Sequence, residues 1–191
     1  MKKLWVIFFV LMLAACHSNQ DKTKPVIQKT DTAAYYPVED FFREQMQYVD
    51  LRSFSIEYDH THDGKKDSGT ITKEELQTWG KLFLEKGKTF NQRKHLFKES
   101  VFQDLSTGSF TLNYVPYDQQ GGGIRNIDVL LDENTKKVKR VFIKSISANK
   151  DTAVTEQYNW QANKGLQLTR FTTAGNYSSA DVVYINWRKK E

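Results

Sequence analysis

From residue 109 to residue 188 the apolar side chains recur with a period of two, and this alternation constrains the fold more than any other feature of the chain. Phe110, Leu112 and Tyr114 alternate with Thr111 and Asn113, and Ile127, Val129 and Leu131 repeat the pattern. Residues 138–147 are rich in Val, Ile and Phe on both parities, as in a central strand. Residues 152–161 set Val154, Tyr158 and Trp160 on one side. Residues 166–173 and 182–188 follow, after turn signals at Asn163-Lys164-Gly165 and Gly175-Asn176. Connections this short leave no room for parallel crossovers, so the expected sheet is an antiparallel meander.

Upstream the period is helical. Val38, Phe41, Phe42, Met46 and Val49 lie on one face of a helix that Pro37 can open. A second helix is signalled by Thr72-Lys73-Glu74-Glu75. The Thr72 hydroxyl can accept from the Glu75 backbone while the Glu75 carboxylate reaches back, a capping box. Leu76, Trp79, Leu82 and Phe83 form its apolar stripe, and Gly87 is a suitable stop. Residues 54–58 alternate as a strand between the two helices. A sheet needs one face covered, and these helices are the available cover. The expected architecture is therefore α+β, with two N-terminal helices packed on an antiparallel meander sheet of five or six strands. It forms a single domain over residues 36–191.

The first 35 residues read as an address and a tether. Lys2 and Lys3 precede an unbroken apolar run over residues 4–13, then Ala14, Ala15 and Cys16, the pattern of a secretory signal. No apolar run reaches 18 residues, so no ordinary membrane-spanning helix is expected. Leu13-Ala14-Ala15-Cys16 resembles the lipobox of bacterial lipoproteins. The resemblance implies cleavage of residues 1–15 and lipidation, palmitate included, of Cys16. As the lone cysteine, Cys16 leaves no intramolecular disulfide and no thiol nucleophile. The alternative is a plain secretory signal with an incidental cysteine. His17 stands where an aspartate would resemble the inner-membrane retention signal of enterobacteria, and the absence of that aspartate favours the outer membrane. Residues 16–35 are polar and aperiodic, a flexible tether for a domain in the periplasm or at the cell surface.

Charge excludes little beyond nucleic acid. The formal net charge is +5; loss of Lys2 and Lys3 leaves 26 basic against 23 acidic residues, or +3. Lys136, Lys137, Lys139 and Arg140, with Arg188, Lys189 and Lys190, carry no nucleic-acid recognition motif. They read as a solvated hairpin tip and tail, or as a contact for anionic headgroups.

Chemistry-bearing patterns are few. His60 and His62 alternate on a strand end, so both can face one metal ion, but a catalytic zinc site needs a third ligand. The remaining histidines are His17 and His95. The segment from Asp63 to Glu75 resembles a calcium loop but fails in either register. Counting back from Glu75 puts Gly64 at the first ligand position, and starting from Asp63 puts Lys65 at a ligand position. It reads as a turn leading into the capped helix. No Gly-x-Ser-x-Gly elbow is present, and the glycines of residues 119–123 precede no helix. Tyr158, Trp160, Tyr184 and Trp187 are candidates for a groove that takes sugar rings or acyl chains. Asp31-Thr32-Ala33 and Asp151-Thr152-Ala153 resemble the O-glycosylation motif of Bacteroidota envelope proteins, with Thr32 the better candidate.

Residues 128–132 and 138–143, together with the lipobox and the Thr72 capping box, are similar to uncharacterised lipoproteins of Bacteroidota over most of residues 36–188. The resemblance implies compartment and fold and carries no catalytic residue. The expected role is a lipid-anchored envelope protein, a non-enzymatic binding or envelope-assembly module that meets the membrane through its anchor and an envelope protein or small ligand as partner. No cofactor is predicted. The alternatives are a metal-dependent hydrolase using His60 and His62, or an apolar-ligand carrier with a cavity between sheet and helices.

Overall fold

The computed structural model describes residues 35–189; the expected signal peptide, Cys16 and Thr32 lie outside them. Helix α1 (Val38–Asp50) is followed by strands β1 (Phe54–His62) and β2 (Lys65–Thr70), then helix α2 (Lys73–Arg93) and a short 3-10 turn (Lys94–Leu96). Seven strands complete the chain: β3 (Phe97–Asp104), β4 (Ser109–Pro116), β5 (Gly123–Asp132), β6 (Val138–Ala148), β7 (Thr152–Gln161), β8 (Gly165–Ala174) and β9 (Tyr177–Lys189). All nine join one sheet in the order β2-β1-β9-β8-β7-β6-β5-β4-β3, and every pairing is antiparallel.

This corrects the expected sheet of five or six strands behind two N-terminal helices. The sheet has nine strands, and a β-hairpin separates the helices in sequence. Strand β2 escaped the apolar pattern because Lys65-Lys66-Asp67-Ser68-Gly69-Thr70 contains no apolar side chain, and all six residues are exposed. Such a charged edge resists pairing with other chains. The hairpin turn is Asp63-Gly64, both at positive φ (45° and 80°), the two-residue geometry whose twist matches that of the flanking strands. The calcium-loop segment is thus hairpin turn, edge strand and helix cap.

Both helices lie on one face of the sheet. Phe42 of α1, Phe83 of α2 and Trp160 of β7 form a ring triangle with centroids 5.2–5.6 Å apart, and all three are fully buried. Phe83 also meets Tyr158 edge-on at 5.1 Å, while Phe90 packs on Phe97 and Tyr114 at 5.1 and 5.0 Å. Truncating one such ring to alanine costs about 3–5 kcal/mol. These rings fill the middle of the layer between the helices and the sheet, where an apolar carrier is expected to hold its cargo.

The capping box at α2 forms as the spacing requires: Glu75 N–H donates to Thr72 Oγ1 at 3.2 Å, and Thr72 N–H donates to Glu75 Oε2 at 2.7 Å. Gly87 does not stop the helix. A Cβ there would lie 2.9 Å from the Glu39 Cα, so the glycine lets α1 cross α2 closely, and the helix runs on to seat Phe90. No helix among the described residues is long and apolar enough to cross a membrane.

Candidate metal centre

On β1, Ile56, Tyr58, His60 and His62 share the face that carries the core, since successive side chains alternate and Ile56 is buried. The two histidines extend that face past the helices. Their rings follow Tyr58 in a row, with centroids 6.0 and 6.3 Å apart. On β9, Val183, Ile185 and Trp187 fill the same face, and Asp181 is its next member. Asp181 stands directly opposite His62, and Val183 opposite His60.

The three polar side chains converge. His60 Nε2 lies 2.5 Å from Asp181 Oδ1, and His62 Nδ1 lies 3.4 Å from the same oxygen. One ligand atom from each residue falls within 4.8 Å of the others. Burial alone raises the Asp181 carboxyl pKa, but the hydrogen bond and charge of His60, then those of His62, outweigh it and lower the value. A carboxylate held ionised between two imidazoles is the donor set of zinc sites and of two-histidine, one-carboxylate centres, which bind at about 2.0–2.2 Å and leave coordination positions open. An ion there would replace the hydrogen bond between His60 and Asp181.

The hairpin turn braces this geometry. Asp63 N–H donates to the Ala180 carbonyl at 3.0 Å, and Ala180 N–H returns to Asp63 Oδ1 at 2.9 Å. Both strands are thereby tied together immediately beyond the His62–Asp181 pair. On the outer flank, Lys65 and Asp67 stand opposite His62 and His60. Burial, then the charges of Asp67 and Asp181, raise the Tyr58 phenol pKa.

Across the sheet the row continues through paired residues: Asp181 opposes Arg170, Arg170 opposes Glu156, and Glu156 opposes Ser145. Arg170 Nε and Nη2 donate to Glu156 Oε1 at 3.2 and 2.9 Å. Glu156 Oε2 accepts from Lys86 of α2 at 3.0 Å, from the Tyr158 hydroxyl at 2.9 Å and from Ser145 Oγ at 3.3 Å. Burial raises the Glu156 carboxyl, yet the hydrogen bonds of Lys86 and Arg170 prevail and hold its pKa at about 2.

The other candidates are dispersed. Tyr158, Trp160 and Trp187 are buried in the core, whereas Tyr184 projects from the opposite face, so the four line no common groove. His95 sits in the 3-10 turn before β3 and is not part of the cluster. Residues 117–122 join β4 to β5, and Gly122 and Gly123 border a cleft of about 330 Å³ with Arg93 and Tyr117. Thr152 opens β7, its N–H bonded to Asn149 Oδ1 at 2.8 Å.

Asp181, Arg170 and Glu156 were not singled out in the sequence, although each carries one signal. Every one occupies a strand position whose parity calls for an apolar residue: two before Val183, two after Leu168, and two before Tyr158. Comparison with known protein families, with curated proteins and with solved structures finds no match for this chain.

Proposed function

We propose that this is a lipid-anchored cell-envelope protein whose domain is a non-enzymatic module for one divalent transition-metal ion, zinc by its donor set, held by His60, His62 and Asp181. The convergence of two imidazoles and a carboxylate from adjacent strands carries the reading. The anchor rests on Leu13-Ala14-Ala15-Cys16, and the outer membrane on His17. Binding needs only the three ligands and an open face. The hydrolase alternative also needs a base beside a metal-bound water, and Asp63 on the rim already accepts from Ala180 N–H.

Metal titration of the purified, chelator-treated protein tests the proposal. One equivalent of zinc binds, and at a free concentration one hundred times Kd it stabilises the fold by about 2.7 kcal/mol. That raises Tm by roughly 5–10 °C for a domain of this size. His62→Ala and Asp181→Asn each abolish the rise. Substoichiometric zinc, or a Tm indifferent to metal and chelator, overturns the proposal.

A further inference from the structure

We infer that the cleft between the end of α2 and the β4–β5 loop binds a small zwitterion with an apolar body, an apolar amino acid or dipeptide, with its carboxylate on Arg93 and its ammonium on Asp118. The cleft measures about 330 Å³, at the lower end of small-molecule sites, which suits a ligand of this size. Its floor is apolar: Phe97 and Ile124 are buried there, and Phe97 packs edge-on against Phe90 of the core at 5.1 Å. Its walls are Leu96 and Tyr117, large apolar side chains left 48% and 72% exposed. The Tyr117 N–H donates to the Leu96 carbonyl at 2.9 Å, which holds the two segments side by side. The far rim is the β4–β5 loop, where Gly121 and Gly123 take positive φ (75° and 120°) and Arg125 donates through Nη2 to the Gly121 carbonyl.

Two opposite charges line the same cleft without pairing with each other. Arg93 makes no side-chain hydrogen bond or ion pair among the described residues. Asp118 Oδ1 accepts from the Gln120 N–H at 2.8 Å, and its Oδ2 has no partner among the described residues. Lys94 and His95 follow Arg93 outside the lining and add positive charge on the side assigned to the carboxylate. Glu99, two residues beyond Phe97, is engaged by the Tyr114 hydroxyl at 2.9 Å. A simple anion in the cleft meets the charge of Asp118, and a simple cation meets that of Arg93. A zwitterion satisfies both while its side chain covers Leu96 and Tyr117, and a guanidinium is suited to gripping a carboxylate. The cleft involves β3, β4 and β5, and four strand spacings of about 4.8 Å separate β5 from β9, where Asp181 stands. The inference is therefore independent of the metal reading.

Isothermal titration calorimetry with L-leucine, L-phenylalanine and leucyl-phenylalanine tests it. At least one of the three binds saturably with one equivalent per chain. The C-terminally amidated and the N-acetylated forms of that ligand each lack one charge and bind about tenfold or more weaker. Arg93→Gln abolishes the penalty for amidation and keeps the penalty for acetylation; Asp118→Asn does the reverse. Both side chains are exposed, so neither substitution touches the core. Tyr117→Ala weakens the charged and blocked forms alike. A protein that binds none of the three ligands overturns the inference. So does one that binds charged and blocked forms equally, or an Arg93→Gln variant that still discriminates against the amide. None of these outcomes bears on zinc binding at His60, His62 and Asp181.

Discussion

Glu156→Gln isolates the electrostatic hub of the core face. The substitution keeps the shape and removes the charge that faces Lys86 and Arg170. The folded-state pKa of about 2 against an ordinary 4.5 corresponds to about 3 kcal/mol at 1.36 kcal/mol per pH unit. Arg170 is substantially exposed, and solvent screening reduces the expected loss to about 2 kcal/mol. This corresponds to roughly 4–8 °C in Tm for a domain of this size. The folded pKa lies below the unfolded one, so the contribution is complete above about pH 4.5 and vanishes as pH falls toward 2. Urea unfolding followed by tryptophan fluorescence, for both proteins between pH 7 and pH 3, measures the gap and its narrowing. A variant within about 0.5 kcal/mol of wild type at neutral pH, a typical surface effect, would refute the reasoning; so would a gap that stays constant down to pH 3.

Two glycines of α2 separate helix propensity from helix crossing. A Cβ at Gly80 meets the Met46 thioether at 2.8 Å, which can swing away, so Gly80→Ala leaves stability at or up to about 1 kcal/mol above wild type. A Cβ at Gly87 meets the Glu39 backbone, and Gly87→Ala loses about 1–2 kcal/mol net of the propensity gain. Equal urea midpoints for the two variants would contradict this. For the anchor, Cys16→Ser abolishes incorporation of labelled palmitate and retains the unprocessed leader, as read by intact mass; continued labelling would refute lipidation at that position.

Local pattern made part of the fold legible. Val38, Phe41, Phe42, Met46 and Val49 are all buried, and the Thr72 cap forms with both of its hydrogen bonds. Elements whose stability comes from elsewhere were hidden. Strand β2 has no apolar face to betray it, and β3 alternates weakly, with mostly exposed or half-buried residues. Asp63-Gly64 is a strong turn signal, but its second strand lacks the alternating hydrophobics that usually accompany one. Gly87 carries the local signal of a helix end, because a sequence does not show that another helix passes overhead. The same holds for the candidate metal centre. Two of its ligands are neighbours on one strand and could be found by parity, while the third is 121 positions away from His60. Only the pairing of β1 with β9 brings it across, and nothing local encodes that pairing.

That pairing also dictates a sequence of events. A polypeptide emerging N-terminus first presents His60 and His62 long before Asp181 exists to meet them. Closing so large a loop costs about 4 kcal/mol of chain entropy, and topologies dominated by distant contacts fold slowly. The final strand therefore acts as the latch: the three donors come together only once β9 pairs with β1, and a chain cut short before residue 181 retains both imidazoles yet lacks the carboxylate that stands opposite them.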